Sequence, residues 1–179
     1  AQDIAGAIRA GRWAEAAARA DGKLAGKLVT YYRLLAPGQG TAGEISIFVA
    51  GIPDWPWLGQ LERRRQEALG RETATHVLAA ECGRGLLELA PALLRCAEAA
   101  GPSEAAAAFA RRAWVLGDIS EPAGEDAFLK RWGGVLRPTE QWARFDALLA
   151  DSAAAAARQV ARLAPEHRAL ARARLGFRQ

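Results

Sequence analysis

Methionine and asparagine are absent from this 179-residue chain, and lysine occurs only at Lys23, Lys27 and Lys130. Those three residue types use A/T-rich codons, so their scarcity marks a GC-rich coding sequence and lessens the weight that arginine-based basicity can carry. No run approaches the roughly 18 uncharged apolar residues that a membrane span needs. No segment alternates with a period of two through β-branched residues, which leaves strands without support. Histidine and cysteine are nearly lacking as well, at two residues each. His76 and His167 stand far apart, with no HExxH and no cysteine at zinc-ligand spacing. No G-x-S-x-G, P-loop or G-x-G-x-x-G stands at a strand-to-helix junction. The residues therefore supply no catalytic, cofactor-binding or metal-ligating candidate.

What is present is helical. The chain is 51% hydrophobic and 25% charged, ordinary for a packed protein, and alanine is about a quarter of it. Breakers recur at Gly11, Gly22, Pro37-Gly38, Gly51 to Pro53, Gly70, Gly83, Gly101-Pro102, Gly117, Gly133-Gly134, Asp151-Ser152 and Pro165. Their intervals are about those of a short helix plus its turn. Between them apolar residues follow helical spacing, as in Leu24, Leu28, Tyr31 and Leu35, or Ala106, Phe109, Ala113 and Leu116. Thr41 and Glu44 fit a capping box, and Ser103 and Ser152 fit N-caps. Pro56, Pro138 and Pro165 sit where first helical turns would begin, and Asp54 or Trp55 is expected to cap the helix at Pro56, with Asp54 accepting a backbone N–H. Pro91 either kinks a helix or lies in one that starts near Ala90. The expectation is an all-α chain forming one domain over 1–179. Its architecture is a TPR-like αα-hairpin superhelix of about ten short helices, open and right-handed, although the tetratricopeptide consensus cannot be traced in register.

The net charge of +4 arises from 21 Arg and three Lys against 20 acids. The longest basic run, Arg63-Arg64-Arg65, is flanked by Glu62 and Glu67, and no aromatic-studded basic stripe accompanies it, so nucleic acid is not the expected partner. The acids lie among Arg and Ala and are expected to be solvated and ionised at neutral pH. Trp114, Trp132 and Trp142 fall on helix stripes and read as core, while Trp55 and Trp57 flank a proline, where exposure and burial both fit. Cys82 and Cys96 are expected to stay unbridged. With Cys82 at one helix end and Cys96 about eleven residues into the next, the rise separates them by roughly 16 Å, beyond the roughly 7 Å a disulfide allows. The first fifteen residues hold no apolar core like that of a signal peptide, and the chain reads as a mature or excised product.

Ile52-Pro53-Asp54-Trp55-Pro56, with Phe48 before it and Leu61, the Arg run, Glu67 and Leu69 after it, resembles the N-terminal helical region of bacterial soluble lytic murein transglycosylases. A second block matches in order. It runs through Ala110-Arg111-Arg112-Ala113-Trp114, Gly117-Asp118-Ile119-Ser120, Phe128-Leu129, Trp132-Gly133 and Leu136, then Trp142, Arg144, Phe145, Asp146, Leu148 and Leu149. Trp13 and the segment from Lys27 to Leu34 fit more loosely. Ala150 stands where the pattern has Trp, and Leu86 to Glu98 agrees in pattern alone. The resemblance implies a periplasmic protein of the cell wall. Its family cleaves peptidoglycan without water, leaving a 1,6-anhydro sugar, through a separate C-terminal lysozyme-like domain whose Glu is followed by Ser. This chain contains no Glu-Ser pair. The implied role is a non-catalytic, U-shaped superhelix. Its partners would be the C-terminal catalytic domain of the same protein and peptidoglycan glycan strands, with no cofactor, nucleic acid or membrane span. A free-standing αα-repeat adaptor for a protein partner is the alternative.

Overall fold

The computed structural model describes residues 3–178. These form twelve α-helices and two 3₁₀ turns, with no strand among the described residues. None of the helices is long and apolar enough to cross a membrane. The chain divides into two compact units, Ala1–Val77 and Leu78–Gln179.

The first unit contains α1 (Ile4–Arg9), α2 (Trp13–Arg19), α3 (Gly22–Leu35), α4 (Ala42–Ala50) and α5 (Leu58–Leu69), and α6 (Thr75–Glu81) runs across its end. Ala7, Ala16 and Val29 form one small core, and Tyr31, Leu34, Ile45, Ile52 and Leu61 a second. The stripe expected on α3 is thus only partly right. Tyr31 is buried, but Leu24 and Leu28 are exposed, and the core takes Val29 and Leu34 instead. Thr41 and Glu44 do form a capping box at the start of α4. At the proline-flanked turn, the Tyr31 hydroxyl donates to the Pro56 carbonyl at 3.3 Å, and Trp55 packs 5.6 Å from the Tyr31 ring.

The expectation that Asp54 caps a helix at Pro56 is not met. Helix α5 begins at Leu58, and Trp57 occupies the N-cap in the left-handed region (φ 58°) with no side-chain cap bond. That conformation costs a bulky residue of order 1–3 kcal/mol. It breaks the αR run a proline-initiated turn would need, so the helix starts two residues late and Asp54 falls outside its first turn. The Arg run is consumed locally. Arg64 donates to the Leu35 carbonyl at 2.7 Å and to Glu67, and the buried Arg65 pairs with Glu62 at 2.7 Å.

The second unit contains α7 (Ala90–Ala99), α8 (Glu104–Leu116), α9 (Pro122–Trp132), α10 (Pro138–Asp151), α11 (Ala153–Gln159) and α12 (Pro165–Gly176). Pro91 lies in the first turn of α7, Pro138 and Pro165 open their helices, and Ser103 and Ser152 cap α8 and α11. Helices α7 and α8 form a hairpin lined by buried small residues. Ala92, Cys96 and Ala97 are on one helix, and Ala106, Ala107, Ala110 and Ala113 on the other. Small side chains let two helix backbones approach closely, and such packing leaves few gaps. Gly117 ends α8 at φ 83°, and a Cβ there would meet that of Ala147 at 3.4 Å, so both backbone and space favour glycine. Phe145, Leu148, Leu149, Ala155, Ala156, Val160, Leu163 and Ala171 form the C-terminal core, with Trp142 against it.

Cys82 and Cys96 are joined in a disulfide, with Cα atoms 5.6 Å apart, contrary to the expectation of two free thiols. The error lay in the helix boundary. Helix α7 starts at Ala90, so Cys96 is only six residues from its first position, and the non-helical segment 83–89 brings the chain back toward Cys82. The rise of one helix is not the relevant distance when the second helix returns alongside the end of the first.

Candidate functional site

The most constructed part of the second unit is a polar network around Trp114. Glu125 stands in the first turn of α9, four positions after Glu121, whose carbonyl accepts its N–H. Its side chain is almost wholly buried and faces three guanidiniums. Arg144 from α10 approaches Oε1 at 3.1 Å, Arg158 from α11 approaches Oε1 at 3.2 Å, and Arg162 approaches Oε2 at 2.9 Å. Arg144 also donates to the Trp114 carbonyl at 3.0 Å and to the Ile119 carbonyl at 2.5 Å, and Arg158 to the Ser120 carbonyl at 2.5 Å.

Trp114 is the hub. Its ring stacks on Phe128 at 4.6 Å and carries the Arg144 guanidinium 3.6 Å from its centroid, a cation–π contact in a desolvated setting. Its indole N–H donates to Gln141 at 3.0 Å. Gln159 bridges Gln141 and Arg162, donating at 2.7 Å and accepting at 3.1 Å. The Arg144 Nε is the one atom of the guanidinium left without a hydrogen-bond partner.

The electrostatics oppose proton transfer. Burial pushes the Glu125 carboxyl upward, but the hydrogen bonds and charges of Arg158 and Arg162 outweigh it, and the net shift is downward. Burial pushes Arg144 down to about 10, leaving it charged at neutral pH. The expectation that the acids are solvated is therefore corrected for Glu125, which is buried yet ionised because three cations surround it. Glu140, also buried, is held at about 2 by its hydrogen bonds to Arg137. Every carboxylate with a resolved shift moves downward: Glu15, Glu44, Glu62, Glu125 and Glu140. None of these is the raised acid that general acid catalysis near neutrality requires.

His76 is exposed. His167 packs 5.1 Å from Trp142, and its buried Nδ1 has no hydrogen-bond partner. Among the described residues no group of three or more His, Cys, Asp or Glu side chains converges in a manner suited to a metal ion.

Residues of the two sequence blocks that carry the family resemblance pack each within its own unit. Phe48, Trp55 and Leu61 meet in the Tyr31 core, and Arg64 pairs with Glu67. Trp114, Ile119, Ser120, Phe128 and Arg144 meet in the Glu125 network, and Phe145 and Leu148 in the core beneath it. Trp114 and Trp132 are buried as expected, and Trp142 is partly buried. Glu125, Gln141, Arg158, Gln159 and Arg162 were not singled out by sequence. The two local signals were a Glu one turn before Phe128 on the same helix face and an Arg pair spaced by four. Their pairing spans 33 to 37 positions. No protein-family model, curated protein or solved structure matches the chain.

Proposed function

We propose that the chain is the non-catalytic helical region of a soluble lytic murein transglycosylase. In this reading its helices form one open αα-hairpin superhelix that positions a separate C-terminal catalytic domain on peptidoglycan in the periplasm. The observation that carries the reading is that aromatic and arginine side chains of the resemblance blocks are spent on packing. Trp55, Trp114 and Arg144 build packing and buried hydrogen bonds, as a scaffold would use them, and Glu125 beside them is no poised acid. The Cys82–Cys96 disulfide supports an oxidising compartment, where such bonds persist.

The test is incubation of the purified chain with murein sacculi. Co-sedimentation that weakens as salt rises, with no anhydro-muropeptides above a buffer control, is the expected result. Anhydro products, or no association even at low salt, would overturn it. A second reading, an αα-repeat adaptor for a protein partner, is favoured by the exposed row Leu24, Leu28 and Tyr32 on α3. The gene beyond Gln179 separates the two. A lysozyme-like segment bearing Glu-Ser fits the first, and a stop codon fits the second.

A further inference from the structure

Beside α8 in the second unit lies an open groove of about 430 Å³. Two consecutive arginines line it, and each is held by its Nε. Arg111 donates to the Val135 carbonyl and Arg112 to the Leu87 carbonyl, both at 2.7 Å. These bonds reach 24 and 25 positions along the chain, so the folded unit fixes both guanidinium planes in advance. A third arginine on the wall, Arg137, is paired with Glu140 through Nε and Nη2. Arg111 meets Glu104, whose side chain is 79% exposed, at 2.5 Å. Arg112 has no carboxylate partner among the described residues, and its two terminal nitrogens are left over.

Three cations and two carboxylates leave the groove with one net positive charge, which matches a monoanion better than a dianion. Ala108 and Leu116 lie one turn either side of Arg112 on the same wall, with Val115 beside them, so small apolar groups flank the cation. A guanidinium whose free edge carries parallel N–H groups takes a carboxylate in bidentate fashion.

We propose that this groove binds the free C-terminal carboxylate of a short peptide with small apolar side chains, anchored by Arg112 and supported by Arg111. The source of that peptide, the peptide side chains of peptidoglycan, rests on the scaffold reading above; the carboxylate site itself does not.

The test is a ¹H–¹⁵N titration of the intact, oxidised chain with N-acetyl-alanyl-alanine, with its C-terminal amide, and with inorganic phosphate. The dipeptide acid should give saturable shifts at the Arg112 Nε–H and along α8, the amide should give none, and phosphate should bind more weakly. Arg112→Gln should weaken the acid about tenfold, the worth of one lost charge-assisted pair, and Arg112→Lys should restore part of it. Glu104→Gln, at an exposed position that leaves the packing intact, should tighten binding by removing the competitor for Arg111. Arg131→Gln, outside the groove, should change nothing. Equal binding of acid and amide, tighter binding of phosphate, no saturable shift, or a Glu104→Gln variant that binds no better would overturn the proposal. Dipeptide binding without sacculus binding would defeat the scaffold reading and leave the groove standing. Sacculus binding without dipeptide binding would do the reverse.

Discussion

The two units are held together by different means. In Ala1–Val77 the ion pairs on α2 and α5 are short-range, with Arg12–Glu15, Arg64–Glu67 and Arg65–Glu62 all three positions apart, and two apolar clusters supply the core. In Leu78–Gln179 one buried carboxylate gathers cations from 19, 33 and 37 positions away, and a disulfide joins residues 14 apart. Short-range pairs on a helix surface add a few tenths of a kcal/mol each and depend on the helix already being there. A buried, many-partnered ion determines which helices meet, because leaving it unpaired is so costly. Away from the buried Arg65 and its partner, the first unit is therefore expected to tolerate charge substitutions, and the second to be intolerant at a few positions.

The largest effect should come from Glu125→Ala. It leaves the fully buried Arg144 facing two other guanidiniums, and breaking a buried pair in this way costs about 3–5 kcal/mol. Urea denaturation followed by Trp fluorescence would measure it. Glu15→Ala in the first unit, whose partner Arg12 is 56% exposed, should cost far less, because neither charge is left buried without a partner. Equal losses at the two sites would erase the contrast between the units.

Next is the disulfide. Its reduction should cost about 2–4 kcal/mol and remove hydrogen-exchange protection around α7 while leaving α1 to α4 unchanged. Protection lost evenly along the chain would show that the units unfold as one.

Acid sensitivity gives a third, smaller contrast. Glu140 has its folded pKa depressed to about 2 from 4.5. A carboxylate depressed on folding stabilises the fold above its unfolded pKa and loses that stabilisation as pH falls through the folded one. Stability should therefore decline between about pH 4.5 and pH 2, and Glu140→Gln should flatten that slope while lowering stability at neutral pH. A slope unchanged in Glu140→Gln would remove Glu140 from the account.

The smallest effects concern caps. Thr41→Ala and Ser103→Ala should each cost about 1 kcal/mol, whereas Asp54→Ala should leave the thermal midpoint unmoved. A measurable drop for Asp54→Ala would mean that the turn before α5 is capped after all.

Helical identity and the caps at Thr41, Ser103 and Ser152 were legible in the sequence because they depend on residues within four positions of each other. The burial of Trp114 was legible from its place on an Ala-rich stripe. Four features were not. The start of α5 depends on Trp57 adopting a left-handed backbone, which side-chain preference argues against. The disulfide depends on how segment 83–89 turns, and no local signal specifies that. The Glu125 network depends on four elements meeting, and the pattern of one helix does not reveal which charges on another will face it. The groove beside α8 was hidden for the same reason. Arg111 and Arg112 look alike in sequence, and only the distant carboxylates and carbonyls distinguish a neutralised arginine from an available one.

Because Glu125 precedes its cations by 19 to 37 positions, its network in the second unit can be completed only after the chain through Arg162 has emerged. When Glu125 first leaves the ribosome or the export channel, none of its partners has emerged. Arg144 arrives first, then Arg158, and Arg162 completes the set. Until then α9 carries a carboxylate that cannot be buried without a large penalty, so its docking waits on the segment from Arg158 to Arg162. Directional emergence thus keeps α9 open until α11 is available, and a chain broken before Arg158 would hold Glu125 against Arg144 alone.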